Sequence, residues 1–218
     1  AQPVTEITSV RDDADMYIFS VKDSALAELV PRVCKKNENQ VFLHTAGSIP
    51  MSMFRGMALH YGVLYPMQTF SKQREVDFLK IPCFVEANDE FALRQIGDLA
   101  HQVSQRVYQL SSEDRRYLHL SAVFACNFVN HCYAISQDIL QERGIPFDVM
   151  LPLIDETAAK VHELSPMDAQ TGPAVRYDTN VIRAQGALLK ANPIVKDIYD
   201  RMSMSIHQMQ NSKKERNK

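Results

Sequence analysis

The sequence predicts an α/β fold, with a mostly parallel sheet in the first half of the chain and helices alone in the second. Short apolar runs alternate with amphipathic helical patterns up to residue 111, and no strand pattern follows. The chain has 218 residues, of which 45% are hydrophobic, enough to bury a core without disulfides or metals. We therefore expect an α/β domain at residues 1–111 and an α-helical domain at residues 112–218.

The predicted strands of the first domain are short apolar runs bounded by polar residues. They lie at residues 13–21, 40–48, 62–70, 82–88 and 106–111. The segment PVTEIT, residues 3–8, is also typical of a strand. Helical periodicity is found at residues 23–33, 52–61 and 89–104. Strands that alternate with helices in this way favour a parallel sheet covered on both faces.

The second domain is predicted to consist of helices and one loop. The first helix runs for about 30 residues, from a cap at Ser111 or Ser112 to a stop at Gly144. The other predicted segments are helices at 146–164, 179–191 and 193–209, a loop at 165–178 and a frayed basic tail at 211–218.

Composition limits the classes of partner. The formal net charge is −2, so neither nucleic acid nor an anionic membrane is favoured, and we expect a small-molecule substrate. No apolar run is long enough to span a membrane and no signal peptide is recognisable, so we expect a cytoplasmic protein. The four cysteines contain no C-x-x-C pair and indicate structural thiols, and we expect no metal site.

Polar residues follow the apolar run VFL at residues 41–43. His44, Thr45, Ala46, Gly47 and Ser48 indicate either a strand that ends at a ligand crevice or an ordinary turn. A lone histidine at a strand end is more often structural than catalytic.

Three other segments carry candidate substrate-binding groups. Gln68, with Thr69 and Ser71, follows the next strand and suits the polar groups of a substrate. The long helix carries His119, Asn127, Asn130 and His131 among apolar residues, and such amides and imidazoles need partners. Arg176, in the loop, could bind an anion or form a salt bridge that fixes the loop.

The sequence resembles a family of bacterial two-domain proteins. The segments that carry the resemblance are DADMYIFSVKDSALAEL, FLHTAGSIPM, YPMQTFSK, LHLSAVFACNFVNH, LPLIDETAAKVHEL and TGPAVRYD. These proteins pair a Rossmann-like dinucleotide-binding domain with a helical domain of unknown function. They are often assigned as deazaflavin-dependent NADP oxidoreductases or as pyrroline-carboxylate-reductase-like proteins.

The resemblance implies an NADP-dependent or NAD-dependent oxidoreductase. Ser20, Val21, Lys22 and Asp23 would line the nicotinamide-ribose half of the cofactor site. Thr45, Ala46, Gly47 and Ser48 would lie in the same crevice, where a small residue lets the nicotinamide approach the backbone.

Relatives that oxidise β-hydroxy acids place a lysine and an asparagine four residues apart on the long helix. This chain lacks that lysine, so His119 is the candidate acid or base, with Asn127 to orient the substrate and Asn130 and Arg176 to bind it. The alternative is that His119 and Asn127 form hydrogen bonds between helices. Apolar helices at 179–209 favour a homodimer through the helical domain.

One departure from the family concerns the glycine-rich turn that binds pyrophosphate. The seven glycines do not form a G-x-G-x-x-G motif. We expect the first two β-α units, about 60 residues, to lie upstream of Ala1, together with the residue that selects NAD or NADP. The alternatives to an enzyme are a nucleotide-sensing or structural dimer, or a fragment that does not bind the cofactor.

Overall fold

The computed structural model describes residues 3–216 and divides the chain into two compact units, one up to Val129 and one from Asn130. Each unit is described by itself. The described residues from Ser112 onward contain helices and no strand, so the change of secondary structure lies where the sequence predicts it. The boundary between the two compact units lies further along the chain, after Val129, because the first part of the long helix packs with the sheet.

Five strands form one sheet in the first unit, in the order β1-β2-β3-β4-β5. Their bounds are β1 Met16–Phe19, β2 Val41–His44, β3 His60–Pro66, β4 Cys83–Ala87 and β5 Val107–Gln109. β1, β2 and β3 are mutually parallel, β4 is antiparallel to β3, and β5 is parallel to β4. The predicted Rossmann-like, mostly parallel sheet is confirmed, and the carboxyl ends of β1, β2 and β3 share one edge.

Two predicted elements of the first unit are wrong. Residues 3–8 form no strand, and a single 3-10 turn, Ile7–Ser9, takes its place. The helix predicted at 52–61 is only a 3-10 turn, Met51–Phe54. Phe54 is completely buried, and Gly56 follows in the left-handed region at φ 81°, which ends the turn before a helix can form.

The helices of the first unit begin at recognisable caps. They are α1 Asp23–Val33, α2 Glu90–Val103 and α3 Ser112–Ala122. The Asp89 carboxylate accepts a hydrogen bond from the Ala92 amide, and the Ser111 hydroxyl accepts one from the Asp114 amide. Ile96 of α2 is completely buried against the sheet, so α2 covers part of one face of β3 and β4.

The helix predicted to continue from Ser112 to Gly144 is interrupted. After α3 the chain forms a π-helical segment, Val123–Phe128, and then α4, Val129–Gln141. The wider π-helical turn changes the 3.6-residue spacing between the residues before it and those after it. Gly144, at φ 67°, follows the end of α4, as its predicted role as a helix stop requires.

The second unit continues with helices of very different length. A 3-10 turn at Phe147–Met150 precedes α5 Leu151–Glu163, α6 Pro166–Ala169, α7 Pro173–Arg176, α8 Thr179–Leu188 and α9 Pro193–Arg216. The loop predicted at 165–178 thus contains two single-turn helices. The tail predicted to fray is helical as far as Arg216, the last described residue of α9.

Candidate functional site

Polar side chains meet where the parallel strands end. Ser20 follows β1 and Thr45 follows β2, and their hydroxyl oxygens are 3.5 Å apart. The Ser48 hydroxyl donates a hydrogen bond to the Asp23 carboxylate, which joins the loop after β2 to the first turn of α1. The predicted segments 20–23 and 45–48 therefore lie together at the carboxyl edge, the usual place of ligand sites in α/β sheets.

The other residues of segments 20–23 and 45–48, Gly47 apart, are exposed or make backbone contacts. Val21 and Lys22 are exposed, and Lys22 is the residue immediately before α1. The Ala46 amide donates a hydrogen bond to His44 Nδ1, 3.1 Å away. None of these contacts shows a bound group, so the cofactor-binding roles predicted for these residues stay predictions.

His44 is a buried core residue of the first unit. Its side chain is completely buried and stacks on Phe54, with ring centroids 5.6 Å apart. Burial, together with the nearby Arg115 charge, lowers the pKa of His44 to about 4. His44 is therefore neutral at physiological pH and is not exposed to a ligand.

A buried ion pair anchors α3 to the sheet. Arg115 is 1% exposed, and its Nη1 donates to a Glu86 carboxylate oxygen of β4 at 2.6 Å. Arg115 Nη2 donates to the Ile49 carbonyl at 2.6 Å. Glu86 also accepts from the Ser112 amide and hydroxyl at 2.7 and 2.6 Å. This network fixes the first turn of α3 over the loop that follows β2.

One turn beyond this anchor, α3 brings His119 to the carboxyl edge. Its Nδ1 lies 3.1 Å from the phenolic oxygen of Tyr65, near the end of β3. A Cβ atom at Gly47 would lie 2.6 Å from the same nitrogen and 3.0 Å from Tyr65 Cζ. Because Gly47 has no side chain, it leaves room for the His119 imidazole. This packing explains a glycine at position 47 without reference to any ligand.

Tyr65 is 9% exposed, and burial raises its pKa above the ordinary value. The phenol is therefore protonated at physiological pH and has one hydrogen to donate. The Met67 sulfur, 3.4 Å from the phenolic oxygen, is an acceptor for that hydrogen. Tyr65 can thus donate to Met67 and accept from His119 Nδ1 at the same time.

Two cavities of the first unit meet at this pair. A cleft of about 750 Å³ includes Ser20, Thr45, Gln68 and His119 in its lining. A second cavity of about 470 Å³ includes Gln68, His119 and Asn127 in its lining. Both volumes are within the range of small-molecule sites. The structure therefore brings three predicted residues, Gln68, His119 and Asn127, to one cavity.

Two predicted substrate-binding residues belong to the second unit. Asn130 is exposed on α4, and Arg176 is the exposed last residue of α7. Their roles stay predictions, separate from the geometry of the first unit.

The sequence reasoning missed Tyr65, Glu86 and Arg115. Glu86 had a visible signal, because it is the one charged residue in the apolar run CFVEA. Arg115 and Tyr65 had none, since an arginine in a polar first turn and a tyrosine in a strand are both ordinary.

Neither a metal centre nor a membrane helix is found in the described part of the chain. Within residues 3–216, no group of three or more His, Cys, Asp or Glu side chains is placed to hold a metal ion. None of the helices in that range combines the length and the apolar character that a membrane crossing requires.

The residues at the carboxyl edge fit part of a nicotinamide dinucleotide. The Ser20 and Thr45 hydroxyls, with the Asp23 and Ser48 pair beside them, are hydrogen-bonding groups suited to a ribose and a carboxamide. The seven glycines provide no glycine-rich turn for the pyrophosphate. The fit therefore concerns the nicotinamide-ribose half.

The sheet order and the polar carboxyl edge define a Rossmann-like α/β protein with a helical C-terminal region. The family described as a domain of unknown function, DUF2520, matches residues 81–206, more than half of the chain. The chain belongs to this family.

Solved structures agree with this assignment. The chain is similar to a protein from Bacteroides fragilis that is named, provisionally, an NADP oxidoreductase. The two are 52% identical, with a TM-score of 0.90 over 94% of this chain and 80% of that chain. No functionally curated protein matches the chain.

More distant structures share the fold alone. A protein from Thermotoga maritima is 19% identical, with a TM-score of 0.74 over 94% of this chain and 82% of that chain. An imine reductase from Myxococcus stipitatus, solved in complex with NADP+, is 13% identical, with a TM-score of 0.55 over 91% of this chain and 75% of that chain.

Proposed function

We propose that the protein is an oxidoreductase that uses NADP or NAD to reduce a carbonyl or imine group of a small molecule. The observation that carries the proposal is the contact of 3.1 Å between His119 Nδ1 and the Tyr65 hydroxyl at the carboxyl edge of three parallel strands. The name of the 52% identical Bacteroides fragilis protein supports the same activity.

The proposed cofactor site is the segment pair 20–23 and 45–48. Ser20, Thr45 and Ser48 offer hydroxyls, and Asp23 offers a carboxylate, to the ribose and carboxamide. Val21, Lys22, Ala46 and Gly47 offer backbone groups beside them. Their position where parallel strands end supports this assignment, since dinucleotides bind at that edge in Rossmann-like folds.

His119 is the proposed proton donor. A reduced nicotinamide held by residues 20–23 and 45–48 would supply a hydride to the carbon of a carbonyl or imine. The protonated imidazole of His119 gives the proton from Nε2 to the oxygen or nitrogen of that group, so that the double bond becomes a single bond and His119 becomes neutral. Histidine suits this step because its imidazole can both donate and accept a proton.

Tyr65 determines which proton His119 gives up. With the proton on Nδ1, the Tyr65 oxygen accepts a hydrogen bond from Nδ1–H while its own hydrogen is donated to Met67. This arrangement keeps the proton on Nδ1 in both charge states and leaves Nε2 as the nitrogen that exchanges its proton. Tyr65 is thus a positioning residue, and its raised pKa keeps it from losing its own proton.

Asn127 is proposed to orient the substrate, because it lines the same cavity as His119. Gln68 is proposed to bind a polar group of the substrate there. The roles of Asn130 and Arg176 in substrate binding are proposals that rest on the sequence alone.

A cytoplasmic homodimer formed through the second unit completes the proposal. Leu188 is 78% exposed and Ile194 is 75% exposed, and both are apolar residues that a second copy would cover. Leu188→Glu with Ile194→Glu should therefore yield monomers in sedimentation velocity, whereas Val4→Glu in the first unit should not. A wild-type monomer at micromolar concentration would refute the dimer.

A calorimetric titration with NADPH and with NADH tests the cofactor site. The wild-type protein should bind at least one of them in the micromolar range. Thr45→Trp places an indole in the cleft at the carboxyl edge and should weaken dinucleotide binding at least tenfold. Thr5→Trp, at an exposed position outside the described cavities, should leave binding unchanged.

The outcomes separate the alternatives. No heat with either dinucleotide would favour the alternative that the chain does not bind the cofactor, and equal binding by Thr45→Trp would refute the proposed site. Binding at this edge without turnover of any carbonyl or imine compound would favour the second candidate, a nucleotide-sensing or structural dimer.

A further inference from the structure

No arginine, lysine, aspartate or glutamate lines the 470 Å³ cavity beside His119 in the part of the chain that the structure describes. One wall is the end of β3 and the residues that follow it, including Tyr65, Gln68 and Thr69. The opposite wall is α3 with the π-helical segment. Cavities that bind carboxylates or phosphates are normally lined by arginine or lysine, and this one is not.

Small side chains on the helical wall make the cavity. Ser121, Ala122, Ala125 and Cys126 line it between His119 and Asn127. The Ser121 hydroxyl donates to the Tyr117 carbonyl at 2.9 Å, so it is already engaged within the helix. The π-helical turn at Val123–Phe128 sets Ala125, Cys126 and Asn127 along this wall, and π turns occur often at functional sites.

Apart from His119, the polar groups that remain are neutral. Gln68 and Asn127 provide exposed amides, and Thr69 provides a hydroxyl. Such groups satisfy the oxygens of an uncharged molecule. An ionised carboxylate held by these amides, away from the imidazole, would lose part of its hydration without gaining a cation, which is unfavourable.

We infer that the substrate of this site is an uncharged carbonyl compound, without carboxylate or phosphate, whose body fills the cavity lined by Gln68, Ala125, Cys126 and Asn127 and whose carbonyl lies beside His119. This inference rests on the proposed function, which assigns the proton transfer to His119. It adds the substrate class, which neither the family's description nor the name of the Bacteroides fragilis protein supplies.

Cys126 provides a readout that does not depend on activity. It is half-buried in the cavity wall, so a ligand in the cavity should slow its alkylation by iodoacetamide. Cys132, on α4 of the second unit and outside the described cavities, is the internal control. Peptide mass spectrometry gives both rates in one experiment.

The probes are methyl 4-oxocyclohexanecarboxylate and its free acid, which have nearly the same shape and differ in charge. The ester should protect Cys126 at a concentration at least tenfold below that required for the acid, with Cys132 unaffected. Equal protection by both, better protection by the acid, or no protection by either would overturn the inference.

A cation placed in the cavity should weaken or reverse its preference for the ester over the acid. Gln68→Arg should lower the protective concentration of the acid at least tenfold, and Gln73→Arg, outside the described cavities, should leave it unchanged. No gain for Gln68→Arg would also count against the inference.

NADPH titration of the same samples separates the two proposals. NADPH binding without protection by the ester refutes the substrate class alone. Protection by the ester without binding of NADPH or NADH refutes the oxidoreductase alone.

Discussion

His119 Nδ1 lies 3.1 Å from the Tyr65 hydroxyl, although the two residues are 54 positions apart in the chain. The contact exists because Arg115, one turn earlier on α3, is fixed to Glu86 of the neighbouring strand. A structural ion pair thus positions the side chain to which we assign the proton transfer. The predictions below test each part of this arrangement.

Tyr65→Phe removes the hydroxyl that accepts from His119 Nδ1. We expect turnover to fall about tenfold or more while KM and NADPH affinity stay near wild type, because the imidazole loses its fixed proton and orientation. The free energy of unfolding should change by only about 1 kcal/mol. Steady-state kinetics and urea unfolding provide the measurements.

Tyr61→Phe is the matched control for this change. Tyr61 lies on the same strand, and its ring contacts Phe54, with centroids 5.9 Å apart. Its turnover should equal that of the wild type. An equal loss in both variants would indicate a general effect on β3 and refute a specific role for Tyr65.

Gly47→Ala places a methyl group where His119 lies, 2.6 Å from Nδ1. We expect a loss of about 1–3 kcal/mol in the free energy of unfolding, since this position cannot accept extra volume without displacing the imidazole. Turnover should fall as well. Gly97→Ala, on α2 with no atom within 4 Å of the new methyl group, should instead stabilise by about 0.5–1 kcal/mol. Similar effects at both positions would contradict the close contact.

Arg115→Met leaves the Glu86 carboxylate half-buried beside Ser112 without its cation. We expect a destabilisation of about 3–5 kcal/mol in urea unfolding. Glu86→Gln combined with Arg115→Met should recover part of this loss, because the amide is uncharged and can still accept from Ser112.

Arg116→Met, at the exposed neighbouring position, should change the free energy of unfolding by less than about 0.5 kcal/mol. If Arg115→Met lowers the free energy of unfolding as little as Arg116→Met does, the Arg115–Glu86 ion pair does not anchor α3 to the sheet.

His44 should make the protein less stable in mild acid. Its pKa is lowered from 6.5 to about 4 by burial, so the unfolded chain takes up a proton at this residue in a pH range where the folded protein does not. The stabilisation is complete above pH 6.5 and is lost as the pH falls towards about 4. The loss amounts to about 3 kcal/mol.

His44→Asn removes the titration and retains an acceptor for the Ala46 amide. The free energy of unfolding, measured by urea at several pH values, should therefore fall less steeply in this variant than in the wild type. Parallel curves would show that His44 does not carry the acid sensitivity. The comparison is needed because the Asp89 carboxyl, whose pKa is lowered by its hydrogen bonds to Ala92 and His60, adds a slope of the same sign.

The sequence was sufficient for elements whose local pattern agrees with the fold. Short apolar runs located the five strands, and the helical pattern at 89–104 and the predicted cap at Ser111 or Ser112 located the starts of α2 and α3. Apolar periodicity alone was misleading at residues 52–61, where the burial of Phe54 and the left-handed Gly56 determine a turn.

Strand direction was not readable from the apolar runs. β4 is antiparallel to β3 because residues 67–82 form only one 3-10 turn, Phe78–Lys80, and no helix that could return the chain for a parallel pairing. The π-helical segment was likewise unpredictable, since an extra residue in a helical turn has no compositional signature.

The candidate site was only partly predictable. Residues 20–23 and 45–48 follow apolar strands, so their common edge follows from a parallel sheet. The pairs Tyr65 with His119 and Glu86 with Arg115 join segments 54 and 29 positions apart, and a single sequence contains no information on such contacts.

The most direct test of the central claim is the histidine nitrogen NMR spectrum of the protein with and without NADPH, with the His119 signals assigned by comparison with His119→Gln. We expect neutral His119 to carry its proton on Nδ1, the tautomer in which it donates to Tyr65, and its Nε2 signal to shift when NADPH binds. A proton on Nε2, or a His119 spectrum that saturating NADPH leaves unchanged, would contradict the assignment of His119 as the proton donor.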